Sequence, residues 1–203
     1  YFINGLLDAA VQPVLHFLLS TTTPVKVGPI RLLLRSYARW GVKWVCFYDR
    51  PNCQSNWAAA DWTQAELVER FVDLFIPIAE CAVEEGLTPI FPPLEPGGDY
   101  WDLDFLRCAL QSLSRRRRYN LLEKMALGAY GWTGQKSIQW GAGGPRRWPK
   151  ARPYHTPEGQ EDQIGFRIFD WYLDISESEL GQPIPVMLLR AGSRPLDHID
   201  PNT

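Results

Sequence analysis

The sequence predicts an α/β protein, an incomplete (β/α) barrel of the TIM type with about five βα units, and three features carry that expectation. Strand-like and helix-like stretches alternate along the 203 residues with no hairpin signal between them, which is the pattern of a parallel sheet. The run Val42–Tyr48 is apolar on both sides, as a strand covered by helices requires. Loops are long after the strands and short before them, which puts a site at the carboxyl-terminal face of a barrel. No GxGxxG or other phosphate-binding glycine turn follows any strand, and this disfavours a doubly wound open sheet.

Each element follows from local chemistry. Tyr1–Ala10 reads as the last turns of a helix, Val11–Ser20 as a strand and Thr21–Pro24 as a loop. Ile30, Leu33, Leu34, Tyr37 and Ala38 are spaced for a helix over Val27–Trp40, which Gly41 ends. In the next strand Val42, Trp44, Cys46 and Tyr48 lie on one side and Val45 and Phe47 on the other. Pro51 cannot donate to a sheet ladder and disfavours helix before it, so the strand stops in the turn Asp49-Arg50-Pro51-Asn52.

Thr63 and Glu66 read as a capping box ahead of a long helix whose stripe is Val68, Phe71, Val72, Phe75, Ala79, Ala82 and Val83, closed by Gly86. Leu87–Phe91 is the third strand and runs into the rigid loop Pro92–Gly98. A helix over Asp102–Ser114 packs through Phe105, Leu106, Ala109, Leu110 and Leu113. Ala126–Trp132 is the fourth strand. Thr133–Asp162 has no periodicity and is rich in Gly, Pro, Trp and Arg; a loop this long is functional or disordered, and its aromatics favour an ordered, active-face loop. A helix over Gln163–Glu179 then leads to the strand Pro185–Leu189, which ends at Arg190-Ala191-Gly192-Ser193.

A chain of this length supports one sizeable core, so residues 1–203 read as a single partial barrel domain. With 22% charged residues and a net charge of −2, nothing calls for nucleic acid. The basic run Arg115–Arg118 complements a helix C-terminus better than it forms a polyanion patch. Cys46, Cys53, Cys81 and Cys108 form no CxxC pair and read as free thiols rather than a disulfide or metal set. No metal or other cofactor is expected. No apolar run reaches the ~20 residues of a membrane span. The chain opens at Tyr1 inside what reads as a helix, so it is expected to be a piece of a longer polypeptide.

Phe47-Tyr48-Asp49-Arg50-Pro51-Asn52 resembles the end of the fourth strand in clan A glycoside hydrolases, the retaining (β/α)8-barrel glycosidases of cellulase-like and xylosidase-like type. The family pattern there is aromatic-Asn-Glu-Pro-Asn, whose Glu is the acid/base. The seventh strand of that family ends in Glu-x-Gly, whose Glu is the nucleophile, and the stretch here is Val186-Met187-Leu188-Leu189-Arg190-Ala191-Gly192. The resemblance implies that Val11–Ser20 is strand three, so that strands three to seven are present and one, two and eight are absent.

The departures from that pattern bear on function. Retaining glycosidases need two carboxyl groups ~5–5.5 Å apart. Here Arg50 stands at the acid/base position and Arg190 at the nucleophile position. A guanidinium neither gives up its proton at working pH nor offers a lone pair. The resemblance therefore implies a glycosidase-like barrel without the retaining pair, with possible carbohydrate binding in a Trp-lined cleft.

Asp49 stands where the family holds the sugar 2-hydroxyl. With Asn52, Trp57, Glu95, Tyr130, Trp132 and Trp140 it forms the expected substrate-binding set, the indoles serving as stacking faces. Arg50 and Arg190 form an anion clamp for a uronate, sulfate or phosphate group, or else each pairs with a nearby acid such as Asp49 or Glu95. Two further readings stand beside this one. Glu95 is the acid of an active hydrolase with Asp49, Asp99 or Asp102 as partner; or the exposed edges of an incomplete barrel pair with a protein partner or a second copy. His16 and His155 read as structural.

Overall fold

The computed structural model describes residues 2–193; Tyr1, which opens the first expected helix, lies outside them. In chain order the elements are α1 (Phe2–Asp8), β1 (Val14–Phe17), α2 (Val27–Arg39), β2 (Trp44–Phe47), α3 (Ala59–Trp62), α4 (Leu67–Glu84), β3 (Thr88–Phe91), α5 (Asp102–Arg115), α6 (Tyr119–Lys124), β4 (Ala126–Trp132), α7 (Gly144–Arg147), α8 (Ile168–Leu180) and β5 (Val186–Gly192). The five strands form one sheet in the order β1-β2-β3-β4-β5 with every neighbouring pair parallel. Parallel crossovers are nearly always right-handed, so a sheet whose spatial order repeats chain order carries its helices on one face. The sheet curls accordingly into half a barrel.

The two faces of the sheet bury different amounts. On the helix side, Val45, Phe47, Phe91, Leu127 and Ala129 pack with Phe71 and Phe75 of α4, Phe105 and Leu106 of α5, and Trp171 of α8. The concave side holds a smaller cluster, Cys46, Ile90 and Ala126, with Trp44, Met187 and Leu189 partly buried beside it. Trp44 and Cys46 thus keep the expected side of β2, but Val42 and Tyr48 join the helix side. Val42 precedes the strand, and Tyr48 has φ +67°, which breaks the two-residue alternation.

Several elements differ from the sequence-based expectation. Thr63 and Glu66 do not form a capping box: the Thr63 hydroxyl bonds back to Ala60 at 3.2 Å, closing α3, and Glu66 enters α4 in the left-handed region with no side-chain cap. Pro77 inside α4 is tolerated because Asp73 and Pro77 both face solvent, so the carbonyl freed by the missing N–H meets water. β5 continues to Gly192, which places Arg190 within the strand. The short α6 and α7 carry too few residues for a periodic signal.

The basic run at the end of α5 lies against acids of α4: Arg115 and Arg116 pair with Glu69, Arg116 also with Asp73, and Arg118 with Glu80 at 3.3 Å. All four cysteines are free thiols. Among the described residues no helix is long and apolar enough to cross a membrane.

The long loop after β4 is ordered around one carboxylate. Asp162 accepts from Lys136 (2.8 Å), the Trp140 indole (2.8 Å), the Thr156 hydroxyl (2.6 Å) and its own loop's Ile164 N–H (3.0 Å). These donors hold its carboxyl below the usual range even though burial alone pushes it up.

Close packing of β3 and β4 depends on Gly128, where an added Cβ would lie 2.8 Å from the Phe91 carbonyl and 3.1 Å from Pro93 N. Gly128→Ala is expected to lower unfolding free energy by about 1–3 kcal/mol in denaturant titration. Gly5→Ala in α1 meets nothing within 4 Å and is expected to leave stability unchanged or slightly raised. Equal effects of the two substitutions would contradict this account of the β3–β4 contact.

Candidate functional site at the strand ends

The site starts from a strained turn. After β2 the chain passes through Tyr48 (φ +67°) and Arg50 (φ +40°), both non-glycine residues in the left-handed region. The turn is pinned on several sides. The Tyr48 N–H donates to the Phe17 carbonyl at 2.9 Å and the Arg50 N–H to the Pro93 carbonyl at 3.0 Å. His16 Nε2 donates to the Tyr48 carbonyl at 2.6 Å, which gives this histidine a structural task. The Asn56 amide donates to the carbonyls of Asp49 (2.9 Å) and Arg50 (2.8 Å).

This turn sends Tyr48 under the helices, where its hydroxyl donates to the Leu74 carbonyl at 3.2 Å. Asp49 and Arg50 stay at the rim. Asp49 Oδ2 accepts from Arg50 Nε at 3.0 Å, and Oδ1 accepts from the Tyr130 hydroxyl at 2.6 Å. Arg50 Nη1 also lies 3.5 Å from Glu95 Oε2. Burial works against the Arg50 charge, but Asp49 and then Glu95 more than offset it and raise its proton affinity. Burial, followed by the bond to Asp49, pushes the Tyr130 hydroxyl up, so it remains a neutral donor.

Arg190 reaches the same rim through a bulge. The register between β4 and β5 shifts after Ala129, so Leu189 is passed over and Tyr130 faces Arg190. The Arg190 guanidinium lies 5.2 Å from the centroid of the Tyr130 ring. Trp132, two residues further along β4, has its ring 5.8 Å from that of Tyr130. One connected series, Arg190–Tyr130–Asp49–Arg50–Glu95, therefore spans the ends of four successive strands. Opposed charge separates the two arginines, as the pairing alternative in the sequence anticipates for Arg50.

The other expected site residues are placed differently. Asn52 is fully buried: its amide donates to the carbonyls of Glu95 (2.8 Å) and Tyr100 (3.0 Å), and its Oδ1 accepts from the Glu95 N–H (2.8 Å). It fixes the Glu95 loop from beneath. Trp57 is also buried, with its indole donating to the Pro51 carbonyl at 2.7 Å and Arg70 over its ring. Trp140 stands in the Asp162 network with Lys136 4.4 Å from its ring. Trp132 and Glu95 line a cleft of about 160 Å³ together with Pro96, Lys136, Ile164 and Gly165. That volume lies below the ~300–1,000 Å³ typical of sites for drug-sized ligands and suits a single ring.

Other chemistries find little support at this rim. Burial and then Glu95 push the Cys53 thiol up to about 11, so it is protonated at neutral pH and a poor nucleophile. Among the described residues no three His, Cys, Asp or Glu side chains cluster as a metal site. No protein-family model matches the chain, and no curated protein matches it significantly.

Sequence reasoning did not find the buried support of the cleft. Asp102 opens α5 and is fully buried; its Oδ1 accepts from the Gly97 N–H (3.0 Å) and the Gln163 amide (2.8 Å). Among the described residues Asp102 Oδ2, Gln163 Oε1 and the Tyr172 hydroxyl have no hydrogen-bond partner. Burial pushes the Asp102 carboxyl up to about 7, against the bonds from Gly97 and Gln163. The only signal in the sequence is an acid at a helix start, which is common at exposed positions too.

Because the folded chain holds this proton more tightly than the unfolded chain does, Asp102 favours folding at low pH. Its contribution is fully present below the ordinary carboxylate value near 4 and is lost as pH rises toward 7. Raising a carboxyl from near 4 to about 7 corresponds to at most about 4 kcal/mol. Asp102→Asn keeps the accepting oxygen and removes the titration, so it is expected to flatten stability between pH 4 and 7 and to exceed the wild type at pH 8. An unchanged pH slope in denaturant titrations of this variant would overturn the assignment.

Proposed function

We propose that this chain is part of a TIM-type, glycoside hydrolase-like barrel that binds carbohydrate at its strand-end rim without hydrolysing it. The observation that carries the reading is the state of the two rim carboxylates. Asp49 and Glu95 both face one guanidinium, Arg50, which stands where the glycosidase pattern has its acid/base. A carboxylate held against a guanidinium directs lone pairs at that cation rather than at a scissile bond, and Arg50 cannot supply a proton. The same carboxylates remain acceptors for sugar hydroxyls, and Trp132 lines the same cleft as Glu95.

The hydrolytic alternative needs a partner for Glu95. Asp102 is fully buried, and Asp99 accepts the Gln54 N–H at 2.8 Å on an exposed loop. Asp49 remains, and it shares the guanidinium of Glu95. The assembly alternative draws on β1 and β5, each paired on one side within the five-stranded sheet.

Titration with neutral gluco- and xylo-oligosaccharides is expected to change tryptophan fluorescence while releasing no product. Trp132→Ala is expected to weaken that binding by about tenfold or more. Product release that disappears in Glu95→Gln would replace this reading with the hydrolytic one. An oligomer without any sugar response would replace it with assembly.

A further inference from the structure

We propose that the rim selects an acidic sugar, a pyranose bearing a carboxylate, and that Arg190 is the residue that reads the acid. The proposal rests on the carbohydrate-binding reading above and narrows it to a substrate class. The two arginines of the rim are not equivalent. Arg50 has Asp49 at 3.0 Å and Glu95 at 3.5 Å. Arg190 is exposed, lies over the Tyr130 ring, and pairs with no carboxylate among the described residues. Lys136, the cation in the cleft wall, is paired with Asp162. Among the described residues, Arg190 is thus the rim cation whose charge no carboxylate compensates.

Its setting suits a planar anion. A guanidinium presents its N–H groups as a fork that matches the two oxygens of a carboxylate. The guanidinium lies 5.2 Å from the Tyr130 ring centroid across the β4–β5 bulge, a cation–π contact that restricts the fork before a ligand arrives. Trp132 adjoins Tyr130 at 5.8 Å and lines the cleft, so a pyranose resting on Trp132 brings a ring substituent toward Arg190 while its hydroxyls face Glu95.

The same accounting limits the charge of the ligand. Asp49 and Glu95 at the far side of Tyr130 repel a second negative charge, which disfavours a phosphate dianion. A sulfate ester carries the same single charge and can also meet the fork through two oxygens, but it spreads that charge over three oxygens and is the weaker acceptor, so its charge-assisted bonds to Arg190 are weaker than a carboxylate's.

The test compares matched oligosaccharides that differ only in the acid: gluco-oligosaccharides, glucurono-oligosaccharides and 6-O-sulfated gluco-oligosaccharides, read by tryptophan fluorescence. The uronate is expected to bind at least about tenfold more tightly than the neutral sugar, and the preference is expected to shrink with salt. In Arg190→Gln the ratio of uronate to neutral affinity is expected to fall to about one, with an unchanged melting midpoint showing that the exposed site folds normally.

Neutral binding without a uronate preference overturns this inference and leaves the carbohydrate reading in place. A preference that survives in Arg190→Gln assigns the acid to another residue and overturns the role of Arg190. Sulfated sugar binding as tightly as uronate overturns the carboxylate class. Binding of none of the three overturns both readings.

Discussion

Two non-glycine residues in the left-handed region, Tyr48 and Arg50, hold the turn on which the strand-end face depends. Such conformations cost on the order of 1–3 kcal/mol each and persist only where surrounding contacts over-determine them. Here the contacts come from three directions: Phe17 and His16 at the end of β1, Pro93 after β3, and Asn56 from the segment that follows. The turn puts Tyr48 into the core and leaves the next two residues, an acid and a base, on the rim. With regular alternation, Tyr48 would instead occupy the concave side beside Cys46, and the rim would carry a different set of groups.

Once the turn is fixed, the electrostatics of the rim follow from spacing. Asp49 lies between Arg50 and Tyr130, and Arg50 between Asp49 and Glu95, so opposite charges alternate across three strand ends. Each side chain is restrained by its neighbour, so less conformational entropy remains to be lost on binding. A sheet whose strand order equals chain order makes this possible, since groups at the ends of β2, β3, β4 and β5 are then neighbours in space. A doubly wound order would separate some of these ends.

The sequence made the long-range architecture legible because a parallel sheet demands apolar strands between amphipathic helices, and that demand is visible in Val45, Phe47 and the α4 stripe. The positions of Asp49, Arg50, Glu95, Tyr130 and Arg190 near one another were also legible, through their places after or within strands. Local geometry was less so. Thr63 and Glu66 have the residue types of a capping box, yet α3 ends where that box would begin, and only tertiary packing decides between the two. Nor does any spacing reveal that Asp102 and Asp162 are inward hubs, because an aspartate reads the same whether its partners come from solvent or from a distant loop.

The loop between β3 and α5 shows how one short segment gives two acids opposite tasks. Glu95 sits at the rim with its backbone clamped by the buried Asn52 amide, and seven residues later Asp102 is sealed beneath the same loop, accepting the Gly97 N–H. Gly98 makes the clamp possible, since a Cβ there would lie 2.6 Å from the Asn52 amide nitrogen. The buried acid also binds Gln163, next to Ile164 and Gly165 of the opposite cleft wall. Ionising Asp102 places a charge in a site that already holds the unpartnered Tyr172 hydroxyl and Gln163 oxygen, with Glu95 and Asp99 on the covering loop, Asp104 on its own helix and Tyr154 from the long loop nearby. No cation is among these groups, and the bonds from the Gly97 N–H and the Gln163 amide offset only part of the new charge. Both walls of the cleft therefore meet at one buried carboxyl, which accepts from Gly97 beneath one wall and from Gln163 beside the other.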